Sequence, residues 1–423
     1  MSDARDPDVT HPPDASVAAG RLPSGHRAWL TRGVTGIGLA SLLSDLGHEI
    51  PTSLLPTFLS TVLGAPAAAL GLIEGVADAL SGAAKFVGGG LADDPARRRT
   101  VAVGGYTLTA VLSAAVGLTT AAWQVALLRA GAWTARGIRT PSRNALLADA
   151  VDPAAYGRAY GFERAMDNAG AVVGPLLAIG LVAAIGIRPA IVVSVVPGLL
   201  AAVAIVFAIR HLERPLPRQA APVRFVARPL LRGRLGRLLA AVTLFEAANV
   251  AATLLILRTT ELMTPSLGET AAAATGIALY TGYNFAATLA SVPAGRLVDV
   301  RSPKTVLALG FGLFALAYGG FAWAGPSVLL LGAAFVAAGI GIGSVETAEN
   351  AAVAALSPAE HRGSAFGLLA VIQSLGDLVA SAGLGLVWTL AGAEIAFGVA
   401  AIGMTGSLVV LLFGVKSEKG RSV

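Results

Sequence analysis

Apolar segments long enough to cross a lipid bilayer recur along most of the 423-residue chain. A helix needs about 20 apolar residues to cross a hydrocarbon core that is about 30 Å thick. By this rule, and from the polar breaks between segments, the sequence predicts an all-α integral membrane protein with twelve transmembrane helices. They lie at about 34–62, 67–90, 101–120, 123–147, 158–184 and 188–209, and then at about 238–261, 270–293, 304–323, 327–351, 363–388 and 391–413.

The composition agrees with a chain surrounded by lipid. Charged residues make up 13% of the sequence and hydrophobic residues 55%, whereas a soluble domain contains about 25% charged residues. The net charge of +6 is best explained by membrane topology, and we expect no nucleic-acid partner. The absence of cysteine excludes a disulfide framework and a thiolate metal site.

A basic, proline-rich segment divides the chain into two halves. The run RHLERPLPRQAAPVRFVARPLLRGRLGR separates the sixth and seventh predicted helices and is too polar to cross a membrane. The first residues are polar and lack the apolar core of a signal peptide, so we expect a disordered tail. The predicted division is a cytoplasmic tail at 1–33, a six-helix bundle at 34–209, a linker at 210–237, a second six-helix bundle at 238–414 and a tail at 415–423.

The basic turns indicate which side of the membrane each loop occupies. The turns DDPARRR, RSPK and AEHRG fall on the same side as the linker, and the opposite turns are nearly bare of Lys and Arg. Because Lys and Arg gather on the cytoplasmic side, both termini are predicted to be cytoplasmic. We expect a multi-pass protein of the inner membrane, embedded in the lipid bilayer as a monomer.

The two halves repeat each other. GGLADDPARRR begins at Gly89 and GRLVDVRSPK begins at Gly295, an offset of 295 − 89 = 206 residues. The same offset pairs Leu91 with Leu297, Asp93 with Asp299, Asn144 with Asn350, Gly161 with Gly367 and Gly170 with Gly376. Duplicated bundles predict a pseudo-symmetric molecule with a binding site between its halves, near the bilayer midplane.

These repeated loops resemble the signature of the major facilitator superfamily, which reads roughly G-x-L-a-D-r-x-G-r-K/R. The matching residues are Gly89, Leu91, Asp93, Arg97 and Arg98, and in the second copy Gly295, Leu297, Asp299 and Lys304. The resemblance implies a latch in which Asp93 meets the eleventh helix, with Arg97 and Asp149 as partners, and holds the cytoplasmic side shut. The alternative is a charge cluster that only sets topology.

The fifth helix is similar to that of bacterial drug–proton antiporters. Gly161, Gly170, Gly174 and Pro175 follow the spacing G-x₈-G-x₃-G-P of that subgroup, whose substrate here is undefined. Small residues at helical spacing let helices approach closely, and Pro175 predicts a kink. The glycines either take part in coupling or serve ordinary tight packing.

Ionisable residues inside the predicted spans are the candidate binding groups. Asp45, His48 and Glu49 share one face of the first helix because they are three and four residues apart. A charge that faces lipid costs about 3 kcal/mol or more, so this face should line a cavity or meet a partner. The seventh helix repeats the spacing with Glu246 and Asn249. A carboxylate in such a cavity could bind and release a proton.

Further polar residues lie in the second, fourth, fifth, eighth and tenth helices. The eighth and tenth helices offer Tyr280, Asn284, Glu346 and Glu349 as cargo or proton contacts, or as hydrogen-bonding groups between helices. We expect mainly structural ion pairs from Glu74, Asp78, Lys85, Arg129, Arg139, Arg143, Glu163, Arg164 and Asp167. A metal site at His48 stays open as an alternative to a helix contact.

The predicted function is secondary active transport of a small solute by alternating access, with protons as the coupling ion and efflux as the direction. No phosphate-binding loop or nucleophile–histidine–acid order is present, so we expect no enzymatic activity and no cofactor. One alternative is a facilitator or importer of a metal ion or an organic ion. Another is a membrane scaffold or sensor of the same fold that transports nothing.

Overall fold

The computed structural model describes residues 29–212 and 226–414, and it contains only helices and connecting turns in these ranges. Most of the predicted N-terminal tail, the middle of the predicted linker and the C-terminal tail lie outside the described residues. The predicted all-α fold class is confirmed.

Each of the twelve predicted spans is an α-helix or a pair of consecutive helices. The first half contains α1 Arg32–Thr57, α2 Ala67–Ala92, α3 Pro95–Ala115, α4 Ala122–Asp149, α5 Tyr156–Ile185, α6 Ile187–Val193 and α7 Val195–Arg210. The second half contains α8 Gly233–Glu246, α9 Ala252–Leu267, α10 Glu269–Val300, α11 Pro303–Trp323, α12 Val328–Leu356, α13 Arg362–Ala391 and α14 Ala393–Gly414.

Seven helical stretches of the described residues are long and apolar enough to cross a membrane by length and composition. They are Pro95–Leu118, Pro153–Ile185, Ile187–Arg210, Pro303–Trp323, Val328–Leu356, Ala359–Ala391 and Ala393–Gly414. The remaining predicted spans include α1, α2 and α4, whose ionisable side chains lower their mean hydropathy. The charged side chains that lower the hydropathy of these helices therefore include the residues that the sequence analysis predicts to bind protons or cargo.

The seventh span is broken where the sequence predicts a continuous helix. α8 ends at Glu246 and α9 begins at Ala252. The freed N–H groups of Val250 and Ala251 donate to the hydroxyls of Tyr318 and Ser381, each at 3.0 Å. A break at membrane depth is tolerated because these side chains satisfy the backbone groups that the helix leaves unpaired.

The two halves pack through α5 against α10 and through α2 against α13. Glycines bring the backbones together at the ends that carry the basic loops. A Cβ added at Gly157 would lie 2.2 Å from the backbone oxygen of Gly295, and one at Gly367 would lie 2.8 Å from the Cα of Gly89. Toward the opposite ends, Gly75 of α2 has no neighbouring atom within 4 Å.

We predict that Gly161→Ala lowers the stability of the interface between the halves. The added Cβ would lie 2.4 Å from the backbone oxygen of Ser291 on α10, and overpacking of this kind costs about 1–3 kcal/mol. Thermal unfolding of the purified protein measures the loss. The matched control is Gly180→Ala on the same helix, where nothing lies within 4 Å, and an equal effect of both variants would contradict the prediction.

Candidate functional site

The acidic face of α1 packs directly on the glycines of α5. A Cβ at Gly170 would lie 2.9 Å from the Cβ of Asp45, and one at Gly174 would lie 2.4 Å from the Cβ of Glu49. Small residues at these two positions therefore let α1 carry acids against α5. Asp45 is buried, and its Oδ1 lies 3.0 Å from the guanidinium of Arg136.

The second half repeats this arrangement. A Cβ at Gly376, the repeat mate of Gly170, would lie 2.3 Å from the Cβ of Glu246 on α8. Asp45 and Glu246 thus occupy equivalent places in the two bundles. Each acid has a polar partner in its own half: Asp45 pairs with Arg136, and Glu246 accepts from the amide of Asn249 at 3.3 Å. The hydroxyl of Tyr318 in turn donates to the Asn249 side-chain oxygen at 3.2 Å.

His48 belongs to a stack of aromatic and charged groups. Its ring lies 4.3 Å from the ring of Trp133, whose indole N–H donates to Asp78 at 2.7 Å. The guanidinium of Arg129 lies 3.7 Å above the same indole and donates to both oxygens of Glu74 at 3.0 and 3.1 Å. In the described residues no group of three or more His, Cys, Asp or Glu side chains could hold a metal ion.

Ion pairs fill the space between α4 and α5. Arg143 lies 2.9 Å from Glu163 and 3.3 Å from Asp167. Arg164 lies 2.7 Å from Glu163 and 3.2 Å from Asp167, and it also reaches Glu346 on α12 at 3.8 Å. These contacts have the form of structural ion pairs, and the last of them crosses from one half to the other.

Two further cations have hydroxyl partners. Arg139 donates to Ser44 at 2.8 Å and lies 3.7 Å above the ring of Tyr106. Lys85 of α2 donates to Ser374 of α13 at 2.7 Å and so joins the two halves.

The polar residues of α10 and α12 are placed differently. Tyr280 stacks on Tyr283 with ring centres 5.6 Å apart, and the amide of Asn284 donates to the Tyr280 carbonyl at 3.2 Å. Glu349 is fully buried and accepts from the amide of Gln373 at 3.0 Å.

Two repeat-related carboxylates receive backbone N–H groups at helix N-termini in the opposite half. Asp93 accepts from Ser364 at the start of α13, from its N–H at 2.8 Å and from its hydroxyl at 2.5 Å. Asp299 accepts from the N–H of Gly157 at the start of α5 at 2.7 Å, and from the N–H and side chain of Arg158 at 3.2 and 2.6 Å. A helix N-terminus attracts a carboxylate because its N–H groups lack partners.

Burial raises the pKa of Asp93 above its ordinary value, although the hydrogen bonds from Ser364 act in the opposite direction. The carboxyl is thus partly withdrawn from bulk water when the halves are in contact.

A further bond between the halves joins the repeat-related asparagines, with the amide of Asn144 donating to the Asn350 oxygen at 2.9 Å.

The arginine partners of this region differ from the expected ones. Arg97 lies 3.4 Å from Asp94, and Asp149 is paired with Arg98 and, at 3.3 Å, with Arg362. The sequence reasoning missed Arg158 and Ser364 as well. The 206-residue offset relates these two residues to each other, so the repeat could have identified them once one was known.

Comparison with known proteins places the chain in a family. The family model described as Major Facilitator Superfamily matches residues 37–273 and 238–423. An uncharacterized MFS-type transporter of Methanocaldococcus jannaschii is 27% identical over 365 residues, which cover 85% of this chain and 89% of that one. An uncharacterized protein of Mycobacterium tuberculosis is 32% identical over 198 residues, which cover 46% and 48% of the two chains.

Solved structures agree on the fold. A bacterial homologue of the iron transporter ferroportin in an outward-facing state aligns with a TM-score of 0.72 at 18% identity, covering 90% of this chain and 99% of that one. The E. coli fucose:proton symporter aligns with a TM-score of 0.72 at 15% identity over 92% and 100% of the chains. A human organic anion transporter aligns with a TM-score of 0.70 at 17% identity over 90% and 99%. The chain therefore belongs to the Major Facilitator Superfamily and is a multi-pass membrane transporter of that family.

Proposed function

We propose that the protein moves a small solute by alternating access, coupled to protons and directed outward. The observation that carries the proposal is the pair of equivalent buried acids, Asp45 and Glu246, each set against a glycine of the helix that packs across the molecule. Acids at membrane depth are costly, and proton relays are a common reason for retaining them.

The contacts between the halves support alternating access. Close glycine contacts and the Asp93 and Asp299 bonds hold the halves together at the ends with the basic loops. If those loops are cytoplasmic, as the charge distribution predicts, this arrangement is an outward-facing one. Separation of the same contacts would open the cytoplasmic side while the opposite ends approach each other.

Protonation offers a physical route between the two arrangements. Asp45 is paired with Arg136, and a proton on Asp45 removes the charge that holds this pair together. A neutral carboxyl costs less to enclose than a charged one, so proton binding favours closure of the site around it. Arg136 is then free to find another partner, which would link proton binding to helix movement.

The remaining assignments belong to the same proposal. We take 34–209 and 238–414 as the two bundles and 210–237 as a cytoplasmic linker. We propose that the protein is a monomer in the inner membrane and that both of its termini are cytoplasmic. A drug–proton antiporter subgroup is proposed from the glycine and proline spacing of α5.

The solved transporters named above do not share one cargo. The three solved transporters are described as carrying an organic anion, acting with fucose and protons, and being homologous to an iron transporter. The import or facilitated movement of a metal ion is less favoured, because the described residues hold no group of three suitable ligands. An organic ion remains compatible with the acids of the site, and a scaffold without transport would not need them.

We predict that Asp45→Asn and Glu246→Gln abolish proton-coupled transport while leaving the protein folded. A thermal-shift screen over cations, drugs, sugars and metabolites at two pH values first identifies a compound that binds. Proteoliposomes containing a pH-sensitive dye then report proton movement when this compound is added, and both variants should give the background signal.

The control for this prediction is Glu74→Gln, which removes a carboxylate bonded to Arg129 within the first half. It should lower the thermal unfolding midpoint and retain coupled proton movement. Coupling that persists in Asp45→Asn and Glu246→Gln at the level of the unchanged protein would favour the scaffold or an uncoupled facilitator.

We predict that Asp93→Asn and Asp299→Asn increase access to the cytoplasmic side. Each change weakens charge-assisted hydrogen bonds that contribute about 1.5–3 kcal/mol, which corresponds to about tenfold or more in the opening equilibrium. The chain has no cysteine, so a single Val298→Cys provides the only thiol, at a position whose Cβ lies 2.8 Å from a Cβ added at Gly157 of the other half. Its alkylation in inside-out vesicles should be faster in both variants than with Asp152→Asn, an exposed acid of the adjacent loop, and equal rates would refute the latch.

A further inference from the structure

The repeat relates two polar contacts that carry different charges. The 206-residue offset that pairs Asn144 with Asn350 also pairs Arg143 with Glu349 and Asp167 with Gln373. In the first half, the guanidinium of Arg143 lies 3.3 Å from Asp167. In the second half, the amide of Gln373 donates to Glu349 at 3.0 Å. The position that holds a cation in one bundle therefore holds an acid in the other.

Glu349 is left without the partners that an ionised carboxylate needs. Its side chain is 0% exposed, and its Oε1 has no hydrogen-bond partner. None of the ion pairs between described residues includes it, whereas Glu346 on the same helix lies 3.8 Å from Arg164. A buried charge with neither a cation nor a complete set of hydrogen bonds is strongly unfavourable.

The groups that surround Glu349 do not supply the missing charge. The acids that act on it are Glu246 of α8, Glu346 of α12 and Asp377 of α13. On the helices packed against α12, Asn144 of α4 donates to Asn350, Arg164 of α5 pairs with Glu163, and Tyr318 of α11 donates to Asn249. Tyr283 of α10 lies near Glu346. Lys85 of α2 donates to Ser374.

We propose that Glu349 holds an exchangeable proton in the second half, beside Glu246, and that Gln373 positions the Glu349 carboxyl group. The inference rests on the proposed proton-coupled function and deepens it. With a proton bound, the carboxylic acid is neutral. Its carbonyl oxygen, Oε2, accepts from the Gln373 amide, and its O–H is at the buried Oε1. No charge then has to be enclosed among three other acids.

The neighbouring Asn350 indicates how the proton would leave. Glu349 precedes the residue whose bond to Asn144 joins the two halves. Opening at the basic-loop side separates these asparagines and admits water to Glu349. The O–H bond of the acid then breaks, the electron pair stays on the carboxylate, and the proton passes to water on that side. The proton is replaced from the opposite side when the halves close again.

Infrared spectroscopy of the reconstituted protein tests the protonation directly. The C=O stretch of a protonated carboxyl group, identified by its shift in D₂O, should be present at neutral pH and disappear at high pH. Glu349→Gln should lose this band, and the matched variant Glu346→Gln, one turn away on the same helix, should retain it. A band of unchanged intensity in Glu349→Gln overturns the proposal.

A second variant covers the case in which Glu349→Gln does not fold. Gln373→Leu keeps the carboxyl and removes the amide that favours its charged form, so the pH at which the band disappears should rise. An unchanged midpoint overturns the positioning role of Gln373.

Failure of the two proposals can be told apart. Proteoliposomes containing Glu349→Gln should move the screened compound with no accompanying proton. If the infrared band is lost in this variant while proton movement remains, Glu349 is not the coupling group. If the unchanged protein shows the band but moves no compound or proton, the proposed function fails and the protonated Glu349 stands.

Discussion

The cost of a charge in hydrocarbon is the constraint on which the rest of the structure depends. Every ionisable side chain that the sequence places inside a span must find an internal partner, a cavity or a proton. In the first half, arginines form ion pairs with the acids Asp45, Glu74, Glu163 and Asp167. In the second half, Glu246 and Glu349 accept from the amides of Asn249 and Gln373, and Glu346 is paired with Arg164 of the first half. The two bundles therefore repeat each other in fold but differ in the groups that partner their acids.

Much of the fold could be predicted because its signals are local or periodic. The lengths of the apolar segments locate the helices, and the 206-residue offset locates the equivalence of Asp93 and Asp299. The break between α8 and α9 could not be predicted, because the residues there include neither glycine nor proline. It depends on Tyr318 and Ser381, which lie far away along the chain and become partners only after the helices pack.

The candidate site was less predictable for a similar reason. A helical pattern identifies which charges share a face, but the partner of each charge depends on the rotation of neighbouring helices. Arg97 and Arg98 are adjacent in sequence and point about 100° apart on a helix of 3.6 residues per turn, so only one of them reaches Asp149. Trp133 links His48 with Asp78 and Arg129, a connection that no helical pattern in the sequence indicates.

The two bonds made by Asp93 and Asp299 have a consequence for the speed of the molecule. They are related by the repeat, and each joins the C-terminal end of a helix in one bundle, α2 or α10, to the N-terminal end of a helix in the other, α13 or α5. In the proposed alternating-access motion both bonds would have to break, because either one alone would still tie the two bundles together. Their energies would then add in the barrier, and the lifetime of the state with both bonds formed would increase multiplicatively with the strength of each.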